Sequence, residues 1–239
     1  MPSGRNSTKV NGADAACYYN AARKRIFLLS PANVSGKRGR LILGERAHCE
    51  LAVRLREGRV PLGEIFSFIS GLYFRGKLAY ARTFAQPPAA AAGILVITAS
   101  RGLIAPETPV SLQELRELAA NPIDVGDARY RKPLERDARL LCEKSGGCEV
   151  VLLGSVATAK YVEPLLGVFG ASLMFPAEFA GRGDMSRGGL MLRASRDGVQ
   201  LTYVCVANSL RHGPRPPKLA RLAPLRRAAK SAVSGSIPG

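Results

Sequence analysis

Residues 176–189, Pro-Ala-Glu-Phe-Ala-Gly-Arg-Gly-Asp-Met-Ser-Arg-Gly-Gly, concentrate more usable chemistry than any other stretch of this chain. Two carboxylates there, Glu178 and Asp184, can position or activate a water molecule, or together hold one magnesium ion. Arg182 and Arg187 can each grip a phosphate through two parallel N–H bonds. The interspersed glycines allow a backbone to approach a ligand closely. A structural loop closed by Asp184 pairing with either arginine uses the same residues, so both readings stand. Three further segments offer small, hydroxyl-bearing or basic residues: 30–38 with Ser30, Asn33, Lys37 and Arg38, 98–102 with Ser100 and Arg101, and 154–161 with Ser155 and Lys160. Here too there is a plainer role, because serines cap helices and runs of charge are usually solvated.

Several reaction classes lack their residues. His48 and His212 are the only histidines, one in an expected helix beside Cys49 and one in a basic tail, which argues against a Ser-His-Asp or Cys-His triad and a histidine zinc site. The five cysteines include no C-x-x-C pair and read as free thiols. No G-x-x-x-x-G-K-[ST] loop occurs, and no strand-linked G-x-G-x-x-G precedes a helix. A metal-dependent nuclease needs clustered acids, for which Glu64 is the one further candidate. Excision of a base needs less: a pocket for the extruded base, cations on the flanking phosphates, and one carboxylate or amide to place a water. No cofactor and no metal are expected.

The elements that must position these residues follow from the hydrophobic pattern. Residues 26–29, 94–97, 150–153 and 173–175 are short runs, apolar on both faces and bounded by turn residues, as buried strands are. Amphipathic stretches lie between them at 45–57, 73–84, 131–143 and 157–166. Within 73–84 the spacing turns Leu78 and Ala81 inward and Arg75, Lys77 and Arg82 outward. Ser111, with Glu114 three residues on, has the spacing of a capping box at a further helix start. Residues 190–194 and 200–206 flank Asp197-Gly198, a strong hairpin signal. Alternating strands and helices predict an α/β fold, a mostly parallel central sheet flanked by helices, with a C-terminal antiparallel hairpin. Ligands of such sheets bind beyond the carboxyl ends of the strands, and the four segments above are those exits. Phe66, Phe68, Tyr73 and Phe74, interleaved with Arg75, Lys77 and Arg82, can stack bases, or form core on one face under snorkelling cations.

Size and charge complete the reading. The chain has 239 residues, 46% hydrophobic and 22% charged, a globular balance with a net charge of +17. Residues 211–230 hold seven bases and no acid, and residues 1–25 hold five bases and one acid. The expected organisation is a flexible basic arm over 1–24, one α/β domain over 25–210, and a flexible basic tail over 211–239. A positive field of this size points to a polyanion, with nucleic acid the expected partner and DNA ahead of RNA. No signal peptide and no apolar run of about 18 residues occur, so a cytoplasmic protein without a membrane partner is expected. Oligomeric state is left open.

Four motifs, in the same order, resemble the peroxide-stress protein YaaA family and allied uncharacterised bacterial proteins: Ser30-Pro31-Ala32 after the first strand, residues 97–106 with Gly102-Leu103 and Pro106, Leu153-Gly154-Ser155 followed by Tyr161-Val162, and residues 187–193. The resemblance implies an α/β fold, a cytoplasmic location, DNA binding, a role in limiting oxidative DNA damage, and a distant kinship with the uracil-DNA glycosylase-like sheet. This chain departs from the family in having no clear helix-hairpin-helix insert and in placing Ser186-Arg187 where the family has a late lysine pair. The leading expectation is a nucleic-acid-binding protein with a base- or phosphate-recognising crevice. Ser30, Asn33, Ser100 and Ser155 would donate to the ligand, with Lys37, Arg38, Arg101, Lys160, Arg182 and Arg187 on phosphate. If it is catalytic, Asp184 or Glu178 would place water for N-glycosidic hydrolysis. The alternatives are an enzyme of a free nucleotide or small phosphorylated compound, and a non-catalytic adaptor binding RNA or an acidic protein.

Overall fold

All five side chains of Arg-Ile-Phe-Leu-Leu are buried, which a strand achieves only with neighbours at both edges and cover on both faces. This strand, β1 (Arg25–Leu29), is central in the computed structural model, which describes residues 23–219. After it come α1 (Lys37–Leu43), α2 (Glu50–Glu57), β2 (Val60–Pro61), α3 (Leu62–Ser70), α4 (Leu72–Phe84), β3 (Ile94–Ile97), β4 (Leu103–Ile104) and β5 (Pro109–Val110). The second half holds α5 (Leu112–Ala120), α6 (Ala128–Ser145), β6 (Glu149–Leu153), α7 (Ala159–Phe169), β7 (Leu173–Pro176), α8 (Asp184–Asp197) and β8 (Tyr203–Cys205). The six-stranded sheet runs in the order β4-β3-β1-β6-β7-β8. β1 pairs in parallel with β3 and β6, and β6 with β7, while β4 and β8 close the two edges antiparallel. β2 and β5 form a separate antiparallel pair.

The connection from β1 steps across to β3, whereas that from β6 steps the other way to β7. Right-handed crossovers place the two sets of helices on opposite faces. Accordingly α6 packs with α7, and α4 packs with α3 and α8. The strand order reverses between β1 and β6, which opens a crevice at their carboxyl ends. Ser111 caps α5 through a complete capping box with Glu114. That carboxyl accepts the Ser111 backbone N–H and lies near Arg59 and Arg101, which together hold its pKa down at about 2.

The chain differs from the sequence expectation at four places. The antiparallel partner at the C-terminal edge is β8 against β7, and residues 190–194 belong to α8 rather than to a hairpin strand. Asp197-Gly198 ends that helix instead, with Gly198 as a left-handed cap at φ 67°. A glycine that accepts positive φ serves a hairpin turn and a helix stop equally well. Residues 37 and 38, expected as part of the first strand exit, open α1. The helix expected from residue 45 begins at Glu50, after the Cys49 cap. Lys77, expected outward, is fully buried. The arm over 1–22 and the tail over 220–239 lie outside the described residues; residues 211–219 have no helix or strand.

The Gly-Arg-Gly-Asp segment also has a role the sequence did not suggest. Asp184 is the first residue of α8, so Gly188 and Gly189 are helical. A Cβ on Gly188 would lie 2.7 Å from the Leu72 carbonyl oxygen, and one on Gly76 would lie 2.6 Å from that of Gly188. These glycines let α4 and α8 touch backbone to backbone. Gly181, at φ 69°, lies closer still to the Pro214 carbonyl, where a Cβ would be 2.1 Å from its oxygen.

Candidate functional site

A cavity of about 450 Å³ opens in the crevice where the strand order reverses, a volume within the range of small-molecule sites. The exit of β1 supplies Ser30 to Ser35, that of β3 Ala99, that of β6 Ser155 with Lys160 and Tyr161 of α7, and the segment after β7 supplies Asp184. Thus all four strand exits reach one cavity. Phe66 and Ser70 of α3 and Tyr73 of α4 form another wall, and Leu118, Ala119, Asn121, Pro122 and Ile123 close it from α5 and the turn after it. The lining is therefore mixed: hydroxyls and two amides, three aromatic rings, an apolar side, one lysine and one carboxylate.

The expected site residues divide into two groups. Ser30, Asn33, Ser155, Lys160 and Asp184 line the cavity. Lys37, Arg38, Ser100, Arg101, Arg182, Arg187 and Glu178 do not. Arg101 donates to Glu114 at 2.7 Å, and Arg182 to Ser186 at 3.2 Å and to the Pro217 carbonyl at 3.4 Å. Arg187 is buried, with Nε and Nη2 on the Phe179 carbonyl at 3.2 and 3.0 Å and Nη1 3.7 Å from Asp184. Arg38 reaches the Phe68 carbonyl at 3.3 Å. Glu178 accepts the Thr202 backbone N–H at 2.9 Å and so anchors the approach to β8. Glu64 is paired with Arg54. Among the described residues no group of three or more His, Cys, Asp and Glu side chains is placed to hold a metal ion.

Tyr73, which the sequence offers as a base-stacking or a core ring, and Lys77, which it turns outward, complete the site. Tyr73 lines the cavity while buried, and among the described residues its hydroxyl has no hydrogen-bond partner. Burial raises its pKa to about 12, opposed by the nearby Arg187 charge, so the phenol keeps its proton. Lys77 lies behind this wall. Its ammonium or amine donates to the Ser30 carbonyl, stands 2.9 Å from Ser30 Oγ, and lies 4.4 and 4.9 Å from the ring centroids of Tyr73 and Phe74. Desolvation brings its pKa down to about 7, against the opposing pull of Asp184. Helical spacing conceals this role, because an amphipathic pattern assigns cations to solvent. Phe66 and Phe74 meet edge to face at 5.4 Å, which makes the aromatic cluster core that also forms the cavity wall.

Comparison with family models, curated proteins and solved structures gives no match. Among the described residues, no helix is long and apolar enough to cross a membrane.

Proposed function

We propose that this chain binds nucleic acid and takes a single base into the cavity between the β1 and β6 exits. The observation that carries the reading is the Tyr73 hydroxyl, buried in the wall of the cavity with, among the described residues, no partner at hydrogen-bond geometry and the Arg187 guanidinium beside it. A buried polar group of this kind costs on the order of 1–3 kcal/mol unless a ligand satisfies it. The rings of Phe66, Tyr73 and Tyr161 give a flat heterocycle apolar faces to lie against. Ser30, Asn33 and Ser155 give its edge donors and acceptors. Asp184 lines the cavity with an exposed carboxylate, the kind of group that would hold a water near the sugar. The net charge of +17, concentrated toward the ends of the sequence, supplies the sequence-independent attraction to phosphate. The resemblance to the YaaA family supports the same reading and favours DNA in a cytoplasmic setting.

Binding of short single-stranded oligonucleotides, followed by fluorescence anisotropy across a salt series, tests the proposal. Affinity falls steeply with salt, and deleting residues 211–239 makes the slope shallower. Tyr73→Phe, which removes only the hydroxyl, weakens binding by roughly five- to tenfold, the worth of one hydrogen bond. Absence of binding at low salt, or full affinity in both Tyr73→Phe and Tyr161→Ala, overturns it. A free nucleotide is the second reading, favoured by Lys160, a cation at the start of α7 that lines the cavity itself. It requires nucleotides to raise the melting temperature and Lys160→Ala to abolish the rise.

A further inference from the structure

Ser30, one of the groups offered to a base edge above, is paired with Lys77, which base recognition does not use. Ser30 follows directly on β1, is held by its backbone N–H on the Leu153 carbonyl at 3.1 Å, and lines the cavity. A Cβ on Gly154 would fall 2.8 Å from Ser30 Cβ and 3.0 Å from Ser30 Oγ, so the glycine ending the β6 exit leaves the room that this side chain occupies. On its other side stands Lys77 Nζ, 2.9 Å from the hydroxyl. The lysine is itself oriented by the Ser30 carbonyl and by two ring faces. Nucleophile, base and orienting group within hydrogen-bond reach are the geometric mark of an activated hydroxyl.

We propose that Ser30 is a nucleophile and Lys77 its general base, a dyad at the cavity wall that removes acyl groups from esters whose alcohol part is a nucleoside. The nucleoside rests on the base-binding reading above; the dyad does not. A neutral Lys77 amine can donate to the Ser30 carbonyl and still accept the hydroxyl proton on its lone pair. Burial supports that state, since it brings the amine down to about 7, where both forms are present near neutrality. The groups facing it are Tyr73 of its own helix and Asp184 at the start of α8, with Arg187 acting on Tyr73.

In the first step Ser30 Oγ bonds to the ester carbonyl carbon as the carbonyl π pair moves to oxygen, and the hydroxyl proton passes to Lys77 Nζ. The tetrahedral adduct then reforms its carbonyl, the bond to the alcohol oxygen breaks, and that oxygen takes the proton from Lys77. Water repeats the sequence on the acyl-serine, giving the carboxylic acid and free Ser30. A single developing oxyanion can be met by neutral donors, and Asn33 and Ser155 share this lining. Phosphoryl transfer concentrates more charge, for which the lining offers a single cation, Lys160, while Arg101, Arg182 and Arg187 lie outside the cavity and are engaged elsewhere. Acyl transfer therefore fits the lining better.

The test treats the full chain with a fluorophosphonate. Ser30 Oγ bonds to phosphorus, fluoride leaves, and the hydroxyl proton goes to Lys77. Mass spectrometry of the intact protein and its peptides should find one adduct, on Ser30, absent from Ser30→Ala. The wild-type labelling rate should rise with pH through about 7 as the amine loses its proton. Lys77→Met should slow labelling by roughly 10²- to 10⁴-fold, the usual worth of a general base. No Ser30 adduct in the folded wild type, or a wild-type rate that does not respond to pH, overturns the dyad without needing any variant. Protection from labelling by adenosine supports the dyad and the nucleoside together. Labelling that no nucleoside slows keeps the dyad and refutes its nucleoside substrate, whereas nucleoside binding without labelling refutes the dyad and leaves the base reading intact.

Discussion

Replacing Gly188 by alanine adds one methyl group where α8 meets α4. That methyl would lie 2.7 Å from the Leu72 carbonyl oxygen and 2.9 Å from both the Leu72 carbonyl carbon and Tyr73 Cα. All three atoms are backbone, so no side chain can rotate away and the two helices must separate. Overpacking of this kind costs typically about 1–3 kcal/mol, and a rigid obstacle puts it at the upper end. Alanine returns about 1 kcal/mol of helix propensity, because Gly188 lies inside the helix and its φ is not positive. The expected net loss is about 2 kcal/mol, which lowers the melting temperature by roughly 4–8 °C in a domain of this size. Gly189 is the control. A methyl there meets only Leu219 Cδ1 at 3.5 Å, an ordinary contact, so Gly189→Ala should gain up to about 1 kcal/mol. Urea denaturation followed by circular dichroism, with an unchanged m-value, reads both. Two adjacent glycines should thus respond with opposite sign. If Gly188→Ala is as stable as the wild type, α4 and α8 are not in backbone contact, and the placement of Tyr73 and Asp184 on one cavity loses its support.

Two further perturbations test other parts of the structure. Arg25 and Glu149 form a buried ion pair at 2.5 Å, with Arg25 also on Gln200 at 2.9 Å, so Arg25→Met should cost about 3 kcal/mol by leaving a buried carboxylate with only the looser, exposed Arg23 at 3.9 Å. In urea denaturation Arg25→Met/Glu149→Leu should recover most of that loss; a single variant within 1 kcal/mol of wild type would contradict the assignment. For Lys77, the folded pKa of about 7 lies below the ordinary value of 10.5. Between those values the unfolded chain binds more protons, so wild-type stability should rise with pH relative to Lys77→Met, with the full burial penalty present below about 7. Denaturation at pH 6 and 9.5 measures the difference. Tyr73, Asp184 and Arg187 remain in both proteins, so parallel curves would mean that the lysine keeps its charge when buried.

What the sequence determines by itself is local. The runs at 26–29, 94–97, 150–153 and 173–175 form β1, β3, β6 and β7 because a strand apolar on both faces has nowhere to go but the middle of a sheet. The capping box at Ser111 forms because its partners are three residues apart. The parallel order then places four strand exits at one end, and with them Ser30, Asn33, Ser155, Lys160 and Asp184 around one cavity. Competition between distant groups is not written in any short window. Gly188 reads as freedom for a ligand until α4 lies against it, and Arg182 and Arg187 read as phosphate contacts until the Pro217 and Phe179 carbonyls use them. Lys77 shows the distinction most clearly. Its place in the helix is a matter of spacing, but its burial beside Ser30 depends on β1, α4 and α8 closing around it, because only packing of distant segments can strip water from a charged group.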